Sequence, residues 1–395
     1  METSGPRVFT ASWGQLESEG SNVGDEAIFA AQIRQLGGLG IRLGVLSADP
    51  RRTTERYPVK PFRTRGSRLL GMLRGIAWAE YVIVGGGELV QDVSSLLYTP
   101  FNLLPLRMAW WLGKPAFAWS VGIGKREELA SWSLPQLRTC LGRCRGVTVR
   151  DQPSRSLLIS LGLREDRVVR ASDSAFAMAG DYRPGPVDSD VLGFAPRNVL
   201  NRRGKLLPLE LRKKLGIEDR IDPTPTRRSW ARLLDGLVES LDCRIRLFPF
   251  HTGSLSNADD RECMDIVAMM THSDRTELVE TSDLGKFIDL MSGCRVMLAV
   301  PLHGSILSVI CGAFPVAVPY ATKGERFMRQ VGLGDFVLPA PGGEGWVKSA
   351  GSTVEYAWTK CDRLWESLRT KRSEEADLCE LNLRHFASTC LPGRR

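Results

Sequence analysis

The longest uncharged stretch of the chain runs from Val296 to Ala321, VMLAVPLHGSILSVICGAFPVAVPYA, with one histidine, His303, near its start. Its length alone would let it cross a bilayer. Pro301, Gly304, Gly312, Pro315 and Pro319 instead cut it into short pieces. The pattern predicts a strand (Val296 to Val300), a turn, a helix (Ser305 to Cys311), a second turn and a strand (Pro315 to Val318). Strands apolar throughout belong to a parallel sheet covered on both faces, so the stretch reads as a βαβ unit. His303 then falls just past the carboxyl end of a strand, where ligands bind in open α/β sheets; the competing reading is a hydrogen-bonded core histidine.

The same pattern recurs along the chain. Arg7 to Ala11, Ile41 to Ala48, Tyr81 to Val84, Pro115 to Trp119, Gly146 to Val149 and Val168-Val169 read as strands of parallel type. The run IFAAQIRQL, starting at Ile28, predicts a helix, and Arg51 to Arg74 reads as a surface loop leading into a short helix. The strands stop at small or charged residues in the same relative place. These are Gly85-Gly86-Gly87-Glu88 with Gln91 and Asp92 beyond, Ser120 to Gly124 including Gly122, Arg150-Asp151, and Ser172 to Phe176. That regularity predicts a doubly wound domain with one functional rim. A second set follows: Val191 to Ala195 with Arg197 just after it, Ile245 to Phe248 ending in Pro249-Phe250-His251, and Thr276 to Val279. The expected organisation is an N-terminal Rossmann-like domain (1–180), a linker (181–190), a second Rossmann-like domain (191–345) and C-terminal helices (346–395). Within the second domain, Asn201 to Thr226 is basic and contains proline, and reads as a mobile insertion.

Length agrees, since 395 residues exceed one ordinary core. The formal charge of +8 comes from 53 Lys+Arg scattered along the chain, which fits either an evenly solvated surface or a preference for anionic small molecules or an anionic membrane face. No recognised nucleic-acid motif accompanies the charge, so nucleic acid is not an expected partner. Nine cysteines form no CxxC pair and no zinc-like cluster, so no metal site is expected. Free thiols and an N-terminus without signal-peptide character point to the cytoplasm. Peripheral contact with the inner membrane stays open.

Candidate chemistry gathers at the rim. A glycine-containing turn at Asn22 and Gly24 opens a helix, which suits either an anion site or a plain Asn cap. Asp25 and Glu26 follow it, either as ligands for hydroxyls and a base or as compensation of the helix dipole. Gly86 and Gly87 allow close approach of a ligand or of a neighbouring turn.

Taken together, Asn22-x-Gly24-Asp25-Glu26-Ala27, Gly85-Gly86-Gly87-x-x-x-Gln91-Asp92, Gly122-Ile123-Gly124, Val149-Arg150-Asp151-x-x-Ser154, Ser172-Asp173-Ser174-Ala175-Phe176, Leu302-His303 and Tyr320-x-x-Lys323 resemble, in order and spacing, the polysaccharide pyruvyl transferase family. The resemblance implies a GT-B-like α/β fold, two Rossmann-like doubly wound domains facing across a cleft. It implies a donor, phosphoenolpyruvate, whose pyruvate is moved onto a sugar or lipid-linked glycan as a ketal with release of phosphate and no further cofactor. The acceptor belongs on the N-terminal side and the donor on the C-terminal side. His303, Leu302 and Arg197 match donor-binding positions of the family, whereas Pro301 stands where its motif has arginine.

Phosphoenolpyruvate needs fixed cations, and ketal formation needs an acid and a base. His303, with an ordinary pKa near 6.5, is the candidate acid or phosphate ligand, and Asp25 the candidate base. Lys323 is the second candidate donor cation. Asn22, Gly24, Glu26, Gly86, Gly87, Gln91, Asp92, Gly122 and His251 are the further candidate substrate contacts. Lys323, Arg326 or Arg329 are positioned to replace the charge missing at Pro301, unless the two arginines are a solvated helix face. A nucleotide-sugar glycosyltransferase and a non-catalytic glycan-binding member remain as alternatives.

Overall fold

Parallel sheets form here because the strands are apolar on both faces and the helices between them supply the cover. The computed structural model of the chain describes residues 5–11, 22–64, 67–93, 95–197, 222–252 and 258–391. One sheet contains β1 (Arg7–Thr10), β2 (Arg42–Ser47), β3 (Lys60–Arg63), β4 (Tyr81–Gly85), β5 (Glu88–Val90), β6 (Ala116–Ile123), β7 (Val147–Val149) and β8 (Val168–Arg170). Its order is β3-β2-β1-β4-β6-β7-β8, with β5 beside β6. The other contains β9 (Val191–Ala195), β10 (Arg244–Leu247), β11 (Thr276–Leu278), β12 (Val296–Ala299) and β13 (Phe314–Ala317), in the order β11-β10-β9-β12-β13. Strand pairing within both sheets is parallel among the described residues. Each order reverses beside its first strand, between β1 and β4 and between β9 and β12, and crevices open at such switch points.

Three local expectations change. Arg51 to Arg74 does lead into a helix (Arg68–Trp78), but the part read as loop holds a helix (Pro50–Arg56) and the strand β3. The strand was hidden because it is charged and exposed at both ends and includes Pro61, tolerated because β3 is an edge strand paired only with β2. The first helix spans Val23–Gly37, starting at its Asn22 cap rather than at Ile28. The helix after β12 spans Leu302–Cys311, so His303 lies in its first turn and not in a loop. The expected insertion at 201–226 falls outside the described residues up to 221, and its end belongs to the helix Thr224–Leu241.

The C-terminal helices clasp the two domains. Glu344–Thr359 packs on Thr224–Leu241, with the Trp230 and Trp346 rings edge to face at 5.1 Å. The 30-residue helix Cys361–Cys390 then returns to the first domain. Near its middle, buried Arg372 donates to the Ile310 carbonyl of the second domain (2.9 Å) and the Tyr182 carbonyl of the connection (2.9 Å). Glu375 accepts from Arg170 (2.8 Å) and Gln330 (2.7 Å), one from each side. Farther on, Asn382 accepts from the Thr148 hydroxyl at 2.6 Å, and Phe386 packs on Phe117 at 5.3 Å. No described helix is long and apolar enough to cross a membrane.

Candidate active site

The carboxyl edges of the two sheets face each other, and the contacts between them build the site. Asn22, past β1, forms an antiparallel bridge with His251, past β10. Val23 N–H donates to the Phe250 carbonyl at 2.9 Å. On the other flank Arg326 donates to the Ile123 carbonyl (2.8 Å), and the Thr322 hydroxyl to Glu128 (2.8 Å).

His303 lies between these ties. Pro301 caps its helix with φ of −74° and ψ of 144°, and the first turn carries the imidazole across to the first helix of the other domain. Gly24 receives it there: a Cβ on Gly24 would lie 2.1 Å from His303 Nδ1 and 2.4 Å from its Cγ. Only a residue without a side chain allows that approach. On the far side of the ring, Nε2 stands 3.7 Å from Asp173 Oδ2 and has no hydrogen-bond partner among the described residues. Asp173 follows β8, where its carboxylate accepts the Ala175 N–H at 3.1 Å. Its Oδ2 is 3.4 Å from Arg150 Nη1. Arg150 ends β7, and its guanidinium fills the space over Gly122, where a Cβ would fall 2.5 Å from Nε. Burial pushes the Asp173 carboxyl up, but His303 and Arg150 outweigh it and hold it below the ordinary carboxylate value. Arg150, Asp173 and His303 are thus one charged row crossing the domain boundary.

A second group of charges stands beside it. Arg197 follows β9, the strand paired with β12, so it and His303 flank one switch point. Its Nε is 3.5 Å from Asp259 Oδ1, and its Nη1 donates to the Tyr320 hydroxyl at 3.4 Å. Asp259 is fully buried, and burial pushes its carboxyl up to about 6 against the pull of Arg197. Burial opposes the charge of Arg197, while Asp259 and Tyr320 more than restore it, leaving its pKa raised. Lys323 Nζ stands 5.8 Å from the centre of the same tyrosine ring. Half-buried Asp25 faces all of them: burial raises its pKa, and the charges of His303, Lys323 and Arg197 pull it back part of the way. A base, an imidazole and two cations therefore share one space. Leu302 joins Asp173 and Lys323 in lining the crevice behind it.

Other expected contacts are placed elsewhere. Asp92 is buried, with one carboxylate oxygen accepting the Thr99 N–H (3.2 Å) and the other the Ala130 N–H (2.9 Å), so it ties two loops together. Glu26 points away from Asp25, as consecutive helical residues do, and accepts the Tyr57 hydroxyl at 2.6 Å. Asn22 caps its helix, its side chain accepting the Gly24 N–H at 2.9 Å. His251 bridges to Asn22 through its backbone and accepts the Asp259 N–H at its carbonyl (2.6 Å), so it braces the charged group at the domain boundary. Gly122 lies within β6, not in a loop, and serves Arg150. The Gly86 N–H donates to the Trp119 carbonyl, and Gly87 accepts from Gly122, so this turn is joined to β6. Gln91 Cβ lies against the same strand end, 3.3 Å from where a Cβ on Gly124 would stand. Arg329 pairs with Glu325 on an exposed face, whereas Arg326 donates to the Ile123 carbonyl and lines the same crevice as Lys323 and Asp173, which keeps it a candidate for the charge missing at Pro301.

Arg150, Asp173 and Asp259 are the further charged residues of the site; of these the sequence offers only Asp173, more weakly than Asp25, for acceptor hydroxyls. The first two were marked in the sequence by ending β7 and β8 at the same rim. Nothing marked Asp259, whose partner arrives from another strand. Among the described residues no group of three or more His, Cys, Asp and Glu is placed to hold a metal ion.

Comparison with known structures gives the same arrangement at low identity. S. aureus MnaA, in a co-structure with UDP, superposes with a TM-score of 0.61 at 14% identity, covering 97% of this chain and 96% of that one. UDP-GlcNAc 2-epimerase from Neisseria meningitidis, bound to UDP-GlcNAc, gives 0.58 at 11% over 97% and 100%. Anabaena HepE, in complex with UDP and glucose, gives 0.57 at 13% over 96% and 97%. The fold is thus of the GT-B type, two Rossmann-like domains across a cleft. No curated protein sequence matches significantly. The family model for polysaccharide pyruvyl transferases does match, over residues 22–322. That span runs from the cap beside Gly24 through Asp173 and His303 to the start of the helix that carries Lys323, and the chain belongs to the polysaccharide pyruvyl transferase family.

Proposed function

We propose that the protein moves pyruvate from phosphoenolpyruvate onto two hydroxyls of a sugar in a glycan or glycan precursor, as a cyclic ketal, and releases phosphate. The observation that carries this reading is the meeting of His303, packed on Gly24 next to Asp25, with Arg197 and Lys323, which stand 5.9 and 5.8 Å from the centre of the Tyr320 ring. The donor has a carboxylate and a phosphate, and the site has two cations of the matching kinds. Arg197 offers planar paired donors for the carboxylate, and Lys323 a compact charge for the phosphate.

In this reading His303, as imidazolium, gives a proton to the methylene carbon of the donor. An oxocarbenium-like centre develops at the adjacent carbon, and Asp25 takes the proton of the first hydroxyl as it adds there. A carboxylate whose pKa is raised by burial is a better base than one in water. Phosphate then departs with the proton held by Asp25, the second hydroxyl closes the ring, and its proton restores His303. Asp173 Oδ2, 3.7 Å from Nε2, lies on the far side of the ring from Gly24. Nine buried, unpaired cysteines suit a reducing cytoplasm, the compartment we assign.

The test is calorimetric titration of phosphoenolpyruvate into wild type, His303→Ala and Arg197→Ala, followed by phosphate release over a panel of glycan acceptors. Saturable binding that both substitutions weaken, with acceptor-dependent phosphate release, supports the proposal. Wild type that is stabilised by UDP-sugars but neither binds phosphoenolpyruvate nor releases phosphate sinks it.

A further inference from the structure

Four helices of the first domain, Arg68–Trp78, Tyr98–Asn102, Leu104–Trp111 and Ser133–Gly142, pack side by side on one face of its sheet. Their inward residues, among them Met72, Ile76, Leu106 and Leu137, join one core. Their outward residues should be polar, as on any helix covering a sheet. They are not: Leu69, Phe101, Trp110 and Trp111 are 56%, 50%, 51% and 66% exposed, and Leu73, Leu112 and Trp132 are exposed with them. Large contiguous apolar surface of this kind marks a site of interaction.

The charges of the same face are of one sign. Arg74, Arg107 and Arg143 lie among the apolar residues, and the four helices contain no Asp or Glu. The Arg143 guanidinium sits 3.5 Å from the centre of the Trp110 ring, and that of Arg68 5.6 Å from the Phe101 ring. Indoles with exposed apolar bodies, interleaved with cations on flexible stems, match the boundary between acyl chains and phosphate headgroups. A second copy of the chain is a poorer occupant, because a twofold contact would set these cations against their own counterparts.

We propose that this face adsorbs to an anionic lipid bilayer, with Trp110, Trp111 and Phe101 at headgroup depth and Arg74, Arg107 and Arg143 on lipid phosphates. The inference does not depend on the transfer reaction.

Co-sedimentation with vesicles of phosphatidylcholine, with and without phosphatidylglycerol, tests it at low and high salt. Wild type should pellet only with the anionic vesicles, and salt should release it. Each cation near such a surface strengthens binding about fivefold, so Arg74→Gln with Arg143→Gln should weaken partitioning about 25-fold. Trp110→Ser with Trp111→Ser should weaken it by about tenfold or more. All four side chains are exposed, and thermal melts confirm that the variants fold. A control, Lys348→Gln with Lys360→Gln, removes two exposed charges from the second domain and should pellet like wild type. The proposal is overturned by wild type staying in the supernatant with anionic vesicles at low salt, or by a control that loses as much binding as the arginine pair. A concentration-dependent dimer that the tryptophan variant breaks overturns it too, giving the face to a second copy.

Discussion

Replacing Gly24 by alanine should separate the geometry of the site from the stability of the fold. Gly24 occupies the first turn of a helix, where alanine is favoured over glycine by about 1 kcal/mol. The new Cβ, however, would stand 2.1 Å from His303 Nδ1, and ordinary contact begins near 3.4 Å, so the ring must retreat by about 1.3 Å. Rotation of the imidazole does not suffice, because His303 Cβ is itself only 2.8 Å away. Either the ring leaves Asp173 or the helix Leu302–Cys311 shifts. Overpacking of this kind costs about 1–3 kcal/mol, which the helix preference offsets in part, leaving a net loss of about 0–2 kcal/mol. A displacement of about 1 Å at a reacting group costs on the order of 100-fold in rate. Urea melts should therefore move little, while phosphate release falls about two orders of magnitude. The double variant with His303→Ala supplies the check. Removing the ring relieves the two shortest contacts and leaves only the 2.8 Å approach of the Cβ at 303, so Gly24→Ala should then cost clearly less than it does in wild type. Two results would refute the reasoning: phosphate release by Gly24→Ala at the wild-type rate, or the same stability change for Gly24→Ala with and without His303.

Other outcomes follow from the same contacts. Arg197→Ala and Lys323→Ala should each weaken phosphoenolpyruvate binding by roughly 10- to 100-fold in calorimetry, since each removes a charge-assisted bond of about 1.5–3 kcal/mol. Asp92→Ala should bind the donor normally and lose about 1–3 kcal/mol in urea melts, because it orphans the Thr99 and Ala130 amides. Asp259 has a folded pKa raised from the ordinary 3.8 to about 6, so it contributes stability at pH below 4 that is lost as pH rises through 6. That difference amounts to about 3 kcal/mol. Urea melts from pH 4 to 7 should show Asp259→Asn without this part of the slope. Arg372→Met leaves carbonyls of both domains unpaired and should cost about 2–4 kcal/mol in equilibrium unfolding.

Much of the fold was legible because burial on both faces leaves a plain mark. The run from Val296 to Ala321 could be little other than strand, helix and strand, and His303 could be placed at the carboxyl end of β12 from punctuation alone. Two elements were not legible: β3 reads KPFR, charged and exposed at both ends, and β5, three residues directly after the glycine turn, begins with a charge, so neither shows an apolar run. Nor could capping be told from ligand binding at Asn22, Asp25 and Glu26, since both uses favour the same polar residues at a helix start. The structure divides them. Asn22 caps, Glu26 holds Tyr57, and Asp25 alone faces the charges.

The sequence by itself determined which elements are buried, where each strand ends, and which charged residues stand at those ends, because these follow from local periodicity and from backbone limits at proline and glycine. Only the tertiary structure decided which strand ends meet. Arg150 and Asp173 reach His303, and Arg197 reaches Asp259, across separations in sequence that no local pattern encodes. The physical reason is that a charge in a cleft acts through distance and burial, and both are set by the docking of two sheets and the helix Cys361–Cys390 that clasps them. The outward face of Trp110 and Trp111 was settled in the same way, since the sequence shows apolar residues and only packing shows which of them remain uncovered.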